Sequence, residues 1–158
     1  MDEKLRQAFH SQVEKEPFAS KFSLKLLEIG DGYSKVEMKF RPDMENLFAM
    51  AHGGALFALI DEALETAANS HGTLAVALNM NVAFIASPKP GSTLRAEARE
   101  VSLTRKTASY DIKVHDARGS LVAACMAMPI AKTTPNPPAT AANPRALNNR
   151  SNETSVSY

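Results

Sequence analysis

Apolar residues recur along this chain with two periods, and the changes of period divide it into elements. Through residues 2–15, Leu5, Phe9 and Val13 repeat every four positions, the spacing of one helix face. Pro17 interrupts that helix. Residues 22–29 read as a strand, Asp31-Gly32 as a hairpin turn, and residues 33–40 as a second strand. In the second strand Tyr33, Lys35, Glu37 and Lys39 alternate with Ser34, Val36, Met38 and Phe40, giving one wet and one buried face. Residues 55–69 switch to helical spacing, with Leu56, Leu59, Ile60, Ala63 and Ala67 near one face. At 1.5 Å per residue that helix is roughly 22 Å long, enough to cross a curved sheet.

Period-two patterns then return. Residues 73–85 place Leu74, Val76, Leu78, Met80, Val82 and Phe84 on one predicted face. Pro88, Pro90 and Gly91 form a rigid turn. Residues 93–103 set Leu94, Ala96 and Ala98 against Arg95, Glu97 and Arg99. Residues 109–115 and 121–130 are the last two predicted strands, separated by the Ala117-Arg118-Gly119 turn. One long helix against an antiparallel sheet is an α+β arrangement. Small residues crowd both partners: Ala55, Ala58, Ala63 and Ala67 on the helix, and Ala123, Ala124 and Ala127 on the last strand. Residues 133–158 turn to Pro, Asn, Ala, Ser and Thr and read as a disordered tail.

Two features of the central segment are chemically unusual. Asp61 lies mid-helix within LFALIDEAL, where it cannot act as an N-cap and, if buried, needs partners or a shifted pKa. The plain alternative is that it faces solvent beside Glu62 and Glu65. Gly53-Gly54 marks a flexible or closely packed helix entry. His52 and Asn46 also admit ordinary structural roles.

The combination Asn46, His52-Gly53-Gly54, Phe57-Ala58-Leu59 and Asp61, followed by ALNMNVAFIASPKPG over residues 77–91, resembles the phenylacetic-acid-degradation thioesterase family of hot-dog acyl-CoA thioesterases. The resemblance covers most of residues 20–130. It implies a sheet wrapped round one central helix, with a cover helix at 1–18 and the hot-dog domain at 19–132. It also implies site roles. Asp61 matches the acid that serves as general base or nucleophile, and Gly53 the backbone N–H that polarises the thioester oxygen. Asn46 matches the residue that places water or thioester, and His52 the histidine beside the carbonyl. A hydroxyl residue that family members often carry near the start of the next strand falls at Ala77, with Asn79 as a possible amide substitute. Asn79, Asn81 and Phe57 join the substrate-binding candidates, and Lys89, Arg105 and Lys106 are cations for CoA phosphates, each also readable as a solvated turn residue. Phe48, Met50, Leu56, Phe57 and Leu59 are candidates for an aryl or medium-chain acyl pocket. The family implies homodimers with shared active sites, commonly paired into homotetramers.

Composition narrows the classes further. The 158 residues carry 18 Lys plus Arg against 17 Asp plus Glu, a formal charge of +1. That balance offers no nucleic-acid surface and no polybasic membrane anchor. Cys125 is the single cysteine, so no intrachain disulfide can form. No 18-residue apolar run occurs, and residues 1–16 are charged rather than signal-like; the expected location is the cytoplasm. The four histidines have no metal-ligand spacing, so neither metal nor separate cofactor is expected; CoA belongs to the substrate. The G-x-S-x-G turn is absent. Beside the thioesterase stand three alternatives: a non-catalytic acyl-CoA-binding hot-dog protein, a hot-dog dehydratase and a purely structural oligomer.

Overall fold

The computed structural model describes residues 1–135; residues 136–158, most of the expected tail, lie outside the described residues. The elements run α1 (Glu3–Lys15), α2 (Pro17–Phe22), β1 (Lys25–Gly30), β2 (Tyr33–Lys39), a 3-10 turn (Pro42–Met44), α3 (Gly53–Asn69), β3 (Thr73–Phe84), β4 (Thr93–Leu103), β5 (Ala108–Asp116) and β6 (Leu121–Pro135). The six strands form one antiparallel sheet in the order β1-β2-β4-β5-β6-β3. Its concave face holds α3, the hot-dog arrangement that the resemblance implied.

The alternating strands behave as predicted. Val36 and Met38 of β2, Leu94, Ala96 and Ala98 of β4, and Tyr110, Ile112 and Val114 of β5 are fully buried. They meet Leu59, Ile60, Ala63 and Ala67 of α3, also fully buried. The alanines on both sides let the helix lie close to the sheet, and Ser34 uses that proximity: its hydroxyl donates to the Ala63 carbonyl at 2.7 Å. Beyond the helix, Asn69 clasps the β3 backbone, accepting from Ala75 N and donating to Ala75 O, both at 2.9 Å.

Four boundaries differ from the sequence reading by more than a single residue. Residues 17–22 are helical, because Pro17 occupies the first turn of α2, where its missing N–H costs nothing. Ser23 then closes α2 in the left-handed region, so the strand predicted from Phe22 starts at Lys25. α3 begins two residues earlier than predicted, because His52 caps it. β6 continues past Ile130 to Pro135, taking the first residues of the expected tail into the sheet.

β3 departs most. Met80 and Val82 pack on the core, but Val76, Leu78 and Phe84 are exposed. A bulge between Ala77 and Asn79 breaks the two-residue alternation, and β3 is an edge strand with no neighbour on one side. Its apolar pattern therefore does not mark a single buried face.

Candidate active site at the entry of the central helix

The loop before α3 is held by its own polar groups. The Asn46 side-chain oxygen accepts from Phe48 N at 2.9 Å and from Met50 N at 3.2 Å. Asn46 N donates to Met50 O at 2.8 Å. Ala49 is left-handed, with φ 55°. This tight loop carries Leu47, Phe48 and Met50 outward. Since the Asn46 oxygen is engaged, its amide NH2 is the group left to meet a ligand.

His52 supplies the next fixed point. Its Nδ1 accepts from Gly54 N at 2.9 Å, capping α3. The acceptor role leaves the ring proton on Nε2 in the neutral imidazole. Glycine at 54 leaves room for this cap: a Cβ there would lie 3.0 Å from Nδ1 and crowd the ring. Gly53 is the first helical residue, so its N–H belongs to the unpaired first turn of the helix. Nothing among the described residues accepts from it. A Cβ on Gly53 would lie 3.2 Å from the Phe84 ring, so glycine lets that ring lie close against the helix entry. Asn46 and Gly53 line one shallow hollow of about 290 Å³ with Met50, Leu56, Phe84 and Ile85. The site thus pairs unspent donors with apolar walls at a helix N-terminus, where developing negative charge is stabilised.

Asp61 is half-buried rather than solvent-facing, and it is not part of that hollow. Eight positions along α3 put it about 12 Å from Gly53 along the axis. Burial raises its pKa first, and the nearby Glu16 carboxylate second. The plain alternative, Asp61 facing solvent beside Glu62 and Glu65, does not hold, because Asp61 is half-buried and Glu62 only 4% exposed. Burial, with Glu16 next and then Glu65, pushes the Glu62 pKa up to about 8. The sequence reading missed Glu16 and Glu62; their meeting depends on the chain turning back at the α1–α2 junction, which no local pattern signals.

The other candidates fall in different places. Ala77 pairs with the buried Pro129 but is itself exposed. Asn79 and Asn81 pair with Met128 and Met126 on the outer face. A bulge separates Ala77 from Asn79, and both residues are exposed. Leu59 lies in the core and lines no acyl pocket, whereas Phe57 is exposed on α3. Lys89 sits beside the Ser87 end of the hollow, with Asp116 and Arg118. Arg105 and Lys106 form the β4–β5 turn at the far end of the eleven-residue β4, roughly 33 Å away at strand rise. One chain therefore cannot bring Lys89 and the Arg105-Lys106 pair to one phosphate. Burial raises the Cys125 thiol pKa, as fits a small core residue rather than a nucleophile. Among the described residues no helix is long and apolar enough to cross a membrane.

Comparison with known proteins places this geometry in a lineage. Residues 48–123 match the Thioesterase superfamily. A candidate esterase of Archaeoglobus fulgidus is 39% identical over 99 residues, which are 63% of this chain and 64% of that protein. The chain thus spans just under two thirds of the archaeal relative. The acyl-coenzyme A thioesterase PaaI of Escherichia coli is 31% identical over 123 residues, covering 78% of this chain and 88% of the relative. The solved structure of the E. coli PaaI protein from the phenylacetic acid degradation operon superposes with a TM-score of 0.80 at 28% identity, covering 84% of this chain and 96% of that one. With the sheet order, the capped HGG loop and these matches together, the chain belongs to the thioesterase superfamily, among its PaaI-like hot-dog members.

Proposed function

We propose that this protein hydrolyses an acyl-CoA thioester to free acid and CoA, at a site assembled from two copies of the chain. The observation that carries the proposal is the division of its chemistry. The unspent donors of Asn46, His52 and Gly53 line the entry of α3, while the half-buried Asp61 carboxylate lies about 12 Å further along the same helix. A single carbonyl cannot touch both within one chain. The exposed edge strand β3, carrying Val76, Leu78 and Phe84, is a ready template for a second copy. Antiparallel pairing of two such edges sets the Arg105-Lys106 end of one chain beside the Asn46–Gly53 end of the other. It also brings the two halves of the site together.

In that assembly the thioester oxygen accepts from Gly53 N–H, at the positive end of α3. His52 Nε2 and the Asn46 amide hold the carbonyl or the water. Asp61 of the second copy either takes a proton from water as it adds to the carbonyl carbon, or adds itself and is then released by water. The C–S bond breaks, and the CoA thiolate leaves and takes up a proton. Ala77 contributes no hydroxyl to this step. Arg105, Lys106 and Lys89 meet the CoA phosphates. The apolar Met50, Leu56 and Phe84, with Phe57 and Phe48 beside them, suit an aryl or medium-chain acyl group. The exposed outer-face Met126 and Met128 offer a contact for a second dimer, giving a homotetramer. A CoA ester substrate places its work in the cytoplasm.

The test is free-CoA release from a panel of phenylacetyl, hydroxyphenylacetyl, benzoyl, short, medium and long acyl-CoA esters. Turnover by the parent, and at least a ~100-fold loss in Asp61→Asn with assembly unchanged, supports the reading. Saturable binding without turnover across the panel would replace it with the non-catalytic binding protein.

A further inference from the structure

A second cluster of chemistry lies outside the thioester site. α1, the α1–α2 junction and α3 border a solvent-open cavity of about 480 Å³. Three carboxylates line it: Glu16 from the junction, and Glu62 and Glu65 from α3. One oxygen from each lies within 4.8 Å of the other two. Glu62 is 4% exposed, and its Oε1 has no hydrogen-bond partner among the described residues. A buried carboxylate oxygen without a donor is costly. Lys15 lines the same cavity, yet forms no ion pair with any of the three among the described residues. Thr66 does not supply the missing donor either, since its hydroxyl is spent on the Glu62 and Ala63 carbonyls.

We propose that this cavity is a binding site for a hard divalent cation, calcium in preference to magnesium, ligated by Glu16, Glu62 and Glu65. The spacing fits. Calcium–oxygen bonds of about 2.3–2.6 Å allow ligand atoms up to roughly 5 Å apart across the ion, and the three oxygens lie within 4.8 Å of one another. The donor set is all oxygen, with no imidazole or thiolate, which disfavours zinc and copper. Calcium is favoured over magnesium because it tolerates irregular carboxylate geometry, and the cavity has room for the waters that complete its shell. The ion gives Glu62 Oε1 its partner and, on displacing the Glu62 proton, balances the converging carboxylates. It also ties Glu16, the residue that ends α1 and begins α2, to the central helix. The site is thus a staple holding the N-terminal helix pair on α3, and it stands independently of the thioesterase reading.

The full chain, stripped with a chelator, is titrated with calcium and with magnesium by calorimetry and by thermal unfolding. The expected result is one calcium per chain, with Kd between about 10⁻⁵ and 10⁻³ M. Tm rises by about 5 °C at calcium near 100 times Kd, and magnesium binds more weakly. Glu62→Gln and Glu16→Gln keep side-chain shape and each weaken calcium binding by at least ~10-fold. Using two variants on different elements keeps the test open if one fails to fold. No saturable binding and no Tm shift in the parent at about 10 mM calcium, well above the expected Kd range, would overturn the proposal. So would equal shifts in the parent and both variants.

Discussion

If each active site takes Gly53 from one chain and Asp61 from another, two separately inactive variants should repair each other. Gly53→Pro removes one atom group, the first N–H of α3. Proline suits this position: it is the first helical residue, and the preceding His52, at φ −67° and ψ 129°, already has the extended backbone that proline demands. The added ring meets the end of Phe84, whose half-exposed side chain has room to swing. Loss of one preorganised oxyanion donor costs about 3–4 kcal/mol, or roughly 10²–10³ in kcat. Asp61→Asn removes the base or nucleophile and costs at least ~100-fold. Mixed one to one and allowed to exchange subunits, half of the dimers are hybrid. Each hybrid holds one wholly native site and one doubly altered site, so CoA release should recover to about one quarter of the parent rate. Native mass spectrometry verifies the exchange. Hybrids formed without recovered activity would place the whole site in one chain and refute the two-chain reasoning.

Three further outcomes follow from the same structure. Because burial and Glu16 raise the Asp61 pKa, kcat/KM should fall as pH drops, with its midpoint above the ordinary aspartate range of about 3.9; a midpoint at or below that value, in a pH–rate profile, would remove Asp61 from the role. Glu62 has its folded pKa raised from 4.5 to about 8, so between those values the folded chain holds a proton the unfolded chain lacks. In calcium-free buffer, stability should therefore decline as pH rises through that window, by an amount on the order of a few kcal/mol, and Glu62→Gln should flatten the decline in denaturant titrations. Leu59 is fully buried in α3, so Leu59→Ala should cost about 2–5 kcal/mol of unfolding free energy; a loss below about 1 kcal/mol would show that the helix–sheet core can close around it.

The sequence by itself determined those elements whose two faces meet different solvents. β2 and β4 alternate charged with apolar residues because one face is wet and the other touches α3, and the pattern records that contrast directly. α3 was legible from its length and its crowd of small apolar residues. The HGG loop was legible because this helix entry suits particular residues at adjacent positions: Gly53 to leave room for the Phe84 ring, and Gly54 to leave room for the His52 cap. What stayed hidden depends on residues distant in sequence or on the absence of a second contrasting face. α2 is too short to show a period and begins at a proline that reads as an interruption. β3 carries apolar residues that the single chain leaves exposed, so alternation alone assigned them to a core they do not enter. The one-residue bulge that separates Ala77 from Asn79 shifts the register of β3 on β6, and no local pattern announces it. Only the tertiary structure brought Glu16 against Glu62, whereas the separation of Asp61 from Gly53 follows from their spacing once the segment is read as a helix. The Glu16–Glu62 approach is a distance in space, set by packing, and local composition carries no record of it.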